Sequence, residues 1–151
     1  MIEAGAAAPD FKLRNHAGEE VSLSDFADRR LVLAFYPGDF SPACSDQLSI
    51  YQEVLGEIES RGAALVGVSV DSTWTHRAFR KHLRLEMPLL ADFHPKGEMS
   101  RAYGAYLDDY GTTNRSLVLV AKGEVRWSHA MPTPGEIPGA NLIFDALGDA
   151  D

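Results

Sequence analysis

Cysteine is nearly missing from this chain: one residue, Cys44, stands among 151. An intramolecular disulfide is therefore excluded, and with it a secreted scaffold held together by cross-links. Any disulfide that Cys44 forms must join a second molecule. Positive charge is scarce as well, because 14 basic residues face 22 acidic ones for a net charge of −8. That balance opposes phosphate-dominated association, so nucleic acid is not an expected partner. Long apolar runs are lacking too; none reaches the roughly 18 residues that a membrane span requires. The opening MIEAGAAAPDF has neither the basic start nor the apolar centre of a secretory leader. A soluble, cytoplasmic protein without a membrane partner is expected. No repeat, low-complexity tract or linker interrupts the chain. With 45% hydrophobic residues, one domain over residues 1–151 has enough apolar material for a sizeable core.

What is present has the pattern of an α/β protein. DFKLRN (10–15) alternates apolar and polar residues, HAGEE turns, and VSLSDF leads into a short helix, predicting a peripheral hairpin. LVLAFY (31–36), ALVGVSV (64–70) and PLLAD (88–92) follow as strands, the first two apolar enough to be covered on both faces. Between the first two strands, Cys44, Leu48, Tyr51, Leu55 and Ile58 share one helical face. Between the next two, DSTWTHRAFRKHLRL starts with capping residues and offers Trp74, Ala78 and Phe79 as an apolar face. GEMSRAYGAY predicts a short helix, SLVLVAK and EVRWSHA an antiparallel pair turning at Lys122-Gly123, and Ala140, Ile143, Phe144 and Leu147 the face of a last helix. The β-α-β-α-β unit with a β-β-α end is compatible with a thioredoxin-like core, and in such sheets chemistry sits beyond the carboxyl ends of the strands.

PGDFSPAC (37–44) occupies that location. Ser41-Pro42 is a helix start, since proline fits the first helical position and forces its predecessor out of the α region. Cys44 then falls in the first turn, among backbone N–H groups without intrahelical partners. Those donors and the helix dipole favour an anion, and such settings lower a thiol pKa from about 8.5 to roughly 3.5–7.5. The thiolate is the nucleophilic form. The competing role is a buried small hydrophobe, the ordinary use of a free cysteine, and Cys44 does lie on an apolar stripe. A core cysteine, however, has no need of a hydroxyl cap and a first-turn position.

FYPGDFSPAC resembles the active-site motif of peroxiredoxins, matched by Pro37, Ser41 and Cys44. APDFKL, VSVDSTWTHRAF, PLLADFHPKGEMSRAYGAY and NRSLVLVAKGEVRW resemble further family segments in the family's order, across nearly the whole chain. The resemblance implies a thioredoxin-like fold, a central mixed β-sheet flanked by helices with an N-terminal β-hairpin extension, and a thiol peroxidase that needs no cofactor or metal. It implies Cys44 as peroxidatic cysteine, Ser41 as a hydroxyl hydrogen-bonding peroxide and sulfur, Pro37 as a shielding ring and Arg115 as the active-site arginine. A guanidinium suits that role through its permanent charge and fork of donors. Without a second cysteine, a one-cysteine type is implied, reducing hydrogen peroxide or organic hydroperoxides with an external reductant, a small thiol or a thioredoxin-like or glutaredoxin-like protein. A homodimer is expected from the resemblance alone.

Two positions depart from the pattern or bear on it. Gln47 stands where many relatives carry glutamate, and Asp39 places a carboxylate beside the motif, expected to be a solvated loop residue. The histidines, His16, His76, His82, His94 and His129, show no zinc-site spacing and are expected mostly at the surface or as caps. Two rival functions use the same thiol: a cysteine hydrolase with a histidine base, weakened by the lack of a histidine with an evident acidic orienter, and a redox sensor. Trp74, Phe79, Tyr103 and Tyr106 are expected as core or interface aromatics.

Overall fold

The computed structural model describes residues 1–149; the last two residues of the expected 1–151 unit lie outside the described residues. In chain order the elements are β1 (Lys12–Asn15), β2 (Glu20–Ser22), a 3-10 turn (Leu23–Phe26), β3 (Arg30–Phe35), α1 (Pro42–Glu53), α2 (Leu55–Ser60) and β4 (Ala63–Ser69). There follow α3 (Thr73–Leu83), β5 (Leu89–Ala91), α4 (Glu98–Ala102), β6 (Tyr106–Leu107), β7 (Thr112–Thr113), β8 (Ser116–Ala121), β9 (Glu124–Ala130) and α5 (Ala140–Asp149). Seven strands form one sheet in the order β2-β1-β5-β4-β3-β8-β9, with β3, β4 and β5 parallel and the other neighbours antiparallel. This is the expected mixed sheet, the N-terminal hairpin extending its β5 edge. The short hairpin of β6 and β7 was not anticipated; its strands have two residues each.

The alternation in β3 decides which side chain meets which layer. Val32 and Ala34, continued by Tyr36, join the core under the helices, which contains Leu48, Tyr51, Leu55, Ile58, Phe79, Ile143 and Leu147. Leu31, Leu33 and Phe35 join the opposite core with Phe11, Met99 and Tyr103. Both faces of β3 are covered, which explains its unbroken apolar run. Gly67 in β4 makes room for close core packing, because a Cβ there would lie 3.2 Å from Tyr36 Cε1 and 2.7 Å from Leu89 Cδ2. The Lys122-Gly123 turn closes as expected, both residues having positive φ (52° and 74°), the two-residue hairpin geometry.

Two helices differ from their sequence reading. The stripe from Cys44 to Ile58 is buried throughout, but the backbone breaks at Val54 into α1 and α2. In α3 the buried residues are His76 and Phe79, whereas Ala78 faces solvent and Trp74 is 72% exposed. The phase was misjudged because Trp74 was treated as a core residue and His76 as a polar one. A histidine whose ring nitrogens both have hydrogen-bond partners can occupy a buried position.

Candidate active site

The loop between β3 and α1 carries the motif. Phe40, at φ 67°, adopts the left-handed region, its ring stacking obliquely on Phe79 and His82 at 5.1 and 5.7 Å between centroids. Ser41 is extended and its Oγ accepts a hydrogen bond from the Cys44 N–H at 3.2 Å, with Pro42 in the first turn. The capping read from Ser41-Pro42 is thus present, and Cys44 sits in the first turn of α1. Its side chain is fully buried in the helix-side core, so a capped first-turn position and a core position are combined in one residue. Pro37 opens the same loop, half-buried.

Arg115 precedes β8, which runs antiparallel to β3 with Ser116 opposite Phe35. The register therefore brings it to the carboxyl end of β3, on the motif side of the sheet. It is only 2% exposed. Nε donates to the Pro134 carbonyl and Nη1 to Gln47 Oε1, each at 2.7 Å. Gln47, one helical turn after Cys44, donates from Nε2 to the Tyr51 hydroxyl at 3.2 Å, and that hydroxyl donates to the Pro138 carbonyl at 2.6 Å. The direction of this relay is forced: a guanidinium only donates and a carbonyl only accepts, which fixes the Gln47 amide between them. Burial pushes the Tyr51 phenol up to about 12, so it remains a donor near neutrality. Among the described residues Arg115 forms no ion pair and its Nη2 group has no hydrogen-bond partner. Tyr51 was read only as a core face residue.

Asp39 is a correction. Its side chain is wholly buried rather than solvated, because a ring of donors receives it. The Tyr36 hydroxyl donates to Oδ1 at 2.6 Å, and Oδ2 lies 2.7 Å from Nδ1 of His76, itself fully buried. The Asp39 backbone N–H donates to Asp71 Oδ2 at 2.8 Å, and Ser69 Oγ donates to the same oxygen. Burial, with the Asp39 charge next, raises the Tyr36 phenol well above its usual range. Asp39, Asp71 and His76 bring potential ligand atoms within 4.8 Å of one another. Those atoms are already engaged with Tyr36, Ser69, the Asp39 backbone and each other, so the group fits a hydrogen-bonded clamp better than a cation site.

His76 also bears on the hydrolase alternative, since it is a histidine with an acidic orienter. Its Nε2 faces the Leu90 carbonyl at 3.0 Å, so that nitrogen carries a hydrogen. Whichever partner holds the proton between Nδ1 and Asp39, neither ring nitrogen has a lone pair left for a thiol. A cysteine–histidine base pair is not formed. Of the other histidines, His82 and His94 are exposed and His16 and His129 half-buried, as expected. The signal for His76 was its spacing, three residues before Phe79 on the buried face of α3.

A family model described as AhpC/TSA matches residues 4–128. The chain belongs to the AhpC/TSA family. It is 32% identical to alkyl hydroperoxide reductase E of Mycobacterium tuberculosis over 148 residues, 97% of each chain. Peroxiredoxin tpx1 of Schizosaccharomyces pombe is 35% identical over 157 aligned positions, which cover 97% of this chain and 79% of that one. Among solved structures, Enterococcus faecalis AhpC matches with a TM-score of 0.90 at 25% identity, covering 99% of this chain and 92% of the other. Peroxidoxin BcpB of Mycobacterium tuberculosis, at 22% identity, shows the same fold with a TM-score of 0.84 over 98% and 96% of the two chains. The AhpC/TSA chain is therefore a peroxiredoxin of the thioredoxin-like superfamily, an oxidoreductase whose single cysteine fits the one-cysteine type of thiol peroxidase.

Proposed function

We propose that Cys44 is the peroxidatic sulfur, that Arg115 stabilises its thiolate and the developing oxygen charge, that Ser41 fixes the first turn beneath it, and that Pro37 shields the centre. The thiolate attacks the terminal peroxide oxygen, forming the S–O bond as the O–O bond breaks. Sulfur is oxidised by two electrons to a sulfenic acid, and the departing hydroxide or alkoxide takes a proton to leave as water or an alcohol. The unbonded Nη2 group of Arg115 supplies donors for that departing oxygen. An external thiol then attacks the sulfenic sulfur, releasing water and leaving a mixed disulfide. A second thiol frees Cys44 and departs in an ordinary disulfide.

The supporting observation is the pairing of a capped first-turn thiol with a buried guanidinium held on the same face of α1. The reductant is a small thiol or a thioredoxin-like or glutaredoxin-like protein, and the cytoplasm is the reducing compartment that supplies it. Self-association into a homodimer belongs to the same proposal; sedimentation of the reduced protein at a sedimentation coefficient for one chain would remove it. The central test is Cys44→Ser. Peroxide consumption should vanish, and intact mass of peroxide-treated wild type should rise by one oxygen, whereas unchanged turnover in the variant would reject the assignment.

A further inference from the structure

Arg115 reaches α1, but the backbone that delivers it comes from the opposite core. Residues two apart on a regular strand share a face. Thr113 and Arg115 do not. The Thr113 side chain is fully buried and meets Ser100 of α4, a helix whose Met99 belongs, with the following Tyr103, to the core of Phe11 and Phe35. Arg115 points instead to Gln47 of α1. The backbone therefore changes face at Asn114, between β7 and β8, and the angle at which the guanidinium enters depends on what holds that joint.

A line of hydrogen bonds running back to β5 provides the hold. Asp92, fully buried just after that strand, accepts the Met99 N–H on Oδ1 at 3.0 Å and, on Oδ2, the Ser100 N–H at 2.8 Å and the Ser100 hydroxyl at 2.7 Å. Ser100 Oγ and Thr113 Oγ1 lie 2.9 Å apart. Ser100 has one hydroxyl hydrogen and gives it to the carboxylate, so Thr113 must be the donor between the two hydroxyls. Beyond it, the Asn114 N–H donates to the Ala105 carbonyl at 2.7 Å and the Arg115 carbonyl accepts the Met131 N–H at 2.9 Å. Those backbone bonds are open to any side chain at position 113; the hydroxyl is what ties the joint through α4 to β5. Packing does not call for it, because valine has the same shape and no polar atom to bury. A hydrogen bond adds direction, which an apolar contact of the same size lacks. Resting on the role given to Arg115 above, we propose that Thr113 is a positioning residue of the peroxidase: its hydroxyl, anchored through Ser100 on Asp92, fixes the change of face at Asn114 and with it the aim of the Arg115 guanidinium.

The test is the rate of Cys44 oxidation by hydrogen peroxide in Thr113→Val, which keeps the shape and removes the hydroxyl, and in Thr113→Ser, which keeps the hydroxyl. Thr113→Val should slow oxidation about tenfold, since misplacing a group by about 1 Å can cost roughly 10²-fold. Thr113→Ser should recover most of the rate. The discriminating measurement repeats Thr113→Val in an Arg115→Met background. There it should change the rate little, because the guanidinium it aims is gone, whereas a general loosening of the fold would slow both backgrounds alike. Equal slowing in the two backgrounds, or a single variant within about twofold of the wild type, would overturn the proposal. Should Thr113→Val not fold, Ser100→Ala breaks the same line from α4 and is read in the same way. An Arg115→Met protein oxidised as fast as the wild type would instead defeat the function proposed above, so the two failures are distinguishable.

Discussion

Two buried polar groups flank the motif loop, and they solve opposite problems. On one side Arg115 is held by neutral atoms through Gln47, Tyr51 and two carbonyls. On the other, Asp39 meets His76, Tyr36 and, through its backbone, Asp71. The acidic cluster is closed on itself by hydrogen bonds. On the basic side both partners of Arg115 are neutral, and one of them, Gln47, lies one helical turn after Cys44 on α1. Both groups are buried, so burial alone does not distinguish them; the kind of partner each meets does.

That contrast can be broken most decisively at Arg115. Arg115→Met should slow oxidation of Cys44 by hydrogen peroxide about 10²- to 10³-fold, the size expected for losing an electrostatic donor at a reacting oxygen. Stopped-flow fluorescence measures it, and a fall of less than threefold would place the guanidinium outside the chemistry. On the other side the main loss should be stability. His76→Ala leaves Asp39 buried without its partner and should cost about 3–5 kcal/mol in urea unfolding. The pH profile of Cys44 alkylation should stay in place if the clamp only holds geometry, and a displacement would merge the two sides. Ser41→Ala removes the N-cap between them and should cost about 1 kcal/mol, with a modest rate decrease.

The smallest effect lies at His16, next to the clamp. Burial, then the Arg80 charge, lowers its imidazole from 6.5 to about 4, with His76 contributing in the same direction. The unfolded chain thus binds more protons between those values, so this residue makes stability fall as pH drops from about 6.5 towards 4. Replacing His16 with Gln should flatten that part of a stability-versus-pH curve by a fraction of the full linkage, since the group is partly solvated. An unchanged slope would remove His16 from the acid response.

Sequence made the layers legible wherever neighbours along the chain decide the outcome. The alternation of β3, the stripe from Cys44 to Ile58 and the Ser41-Pro42 start are such cases, because period and cap are local properties. Arg115 had no local signal and was reached through resemblance. Asp39 and His76 were misplaced for the same physical reason: 37 residues and a crossover separate them, and each alone looks like a polar residue that prefers water. Gln47 and Arg115 are 68 residues apart. Long-range polar pairs are chosen by sheet register, which periodicity does not encode.

The segment after β9 has a mechanical consequence. Pro134 and Pro138 lend their carbonyls to Arg115 and Tyr51, so this strap is buckled onto the Arg115–Gln47–Tyr51 relay at two points. It cannot lift without stranding two interior donors, the Arg115 guanidinium and the Tyr51 hydroxyl.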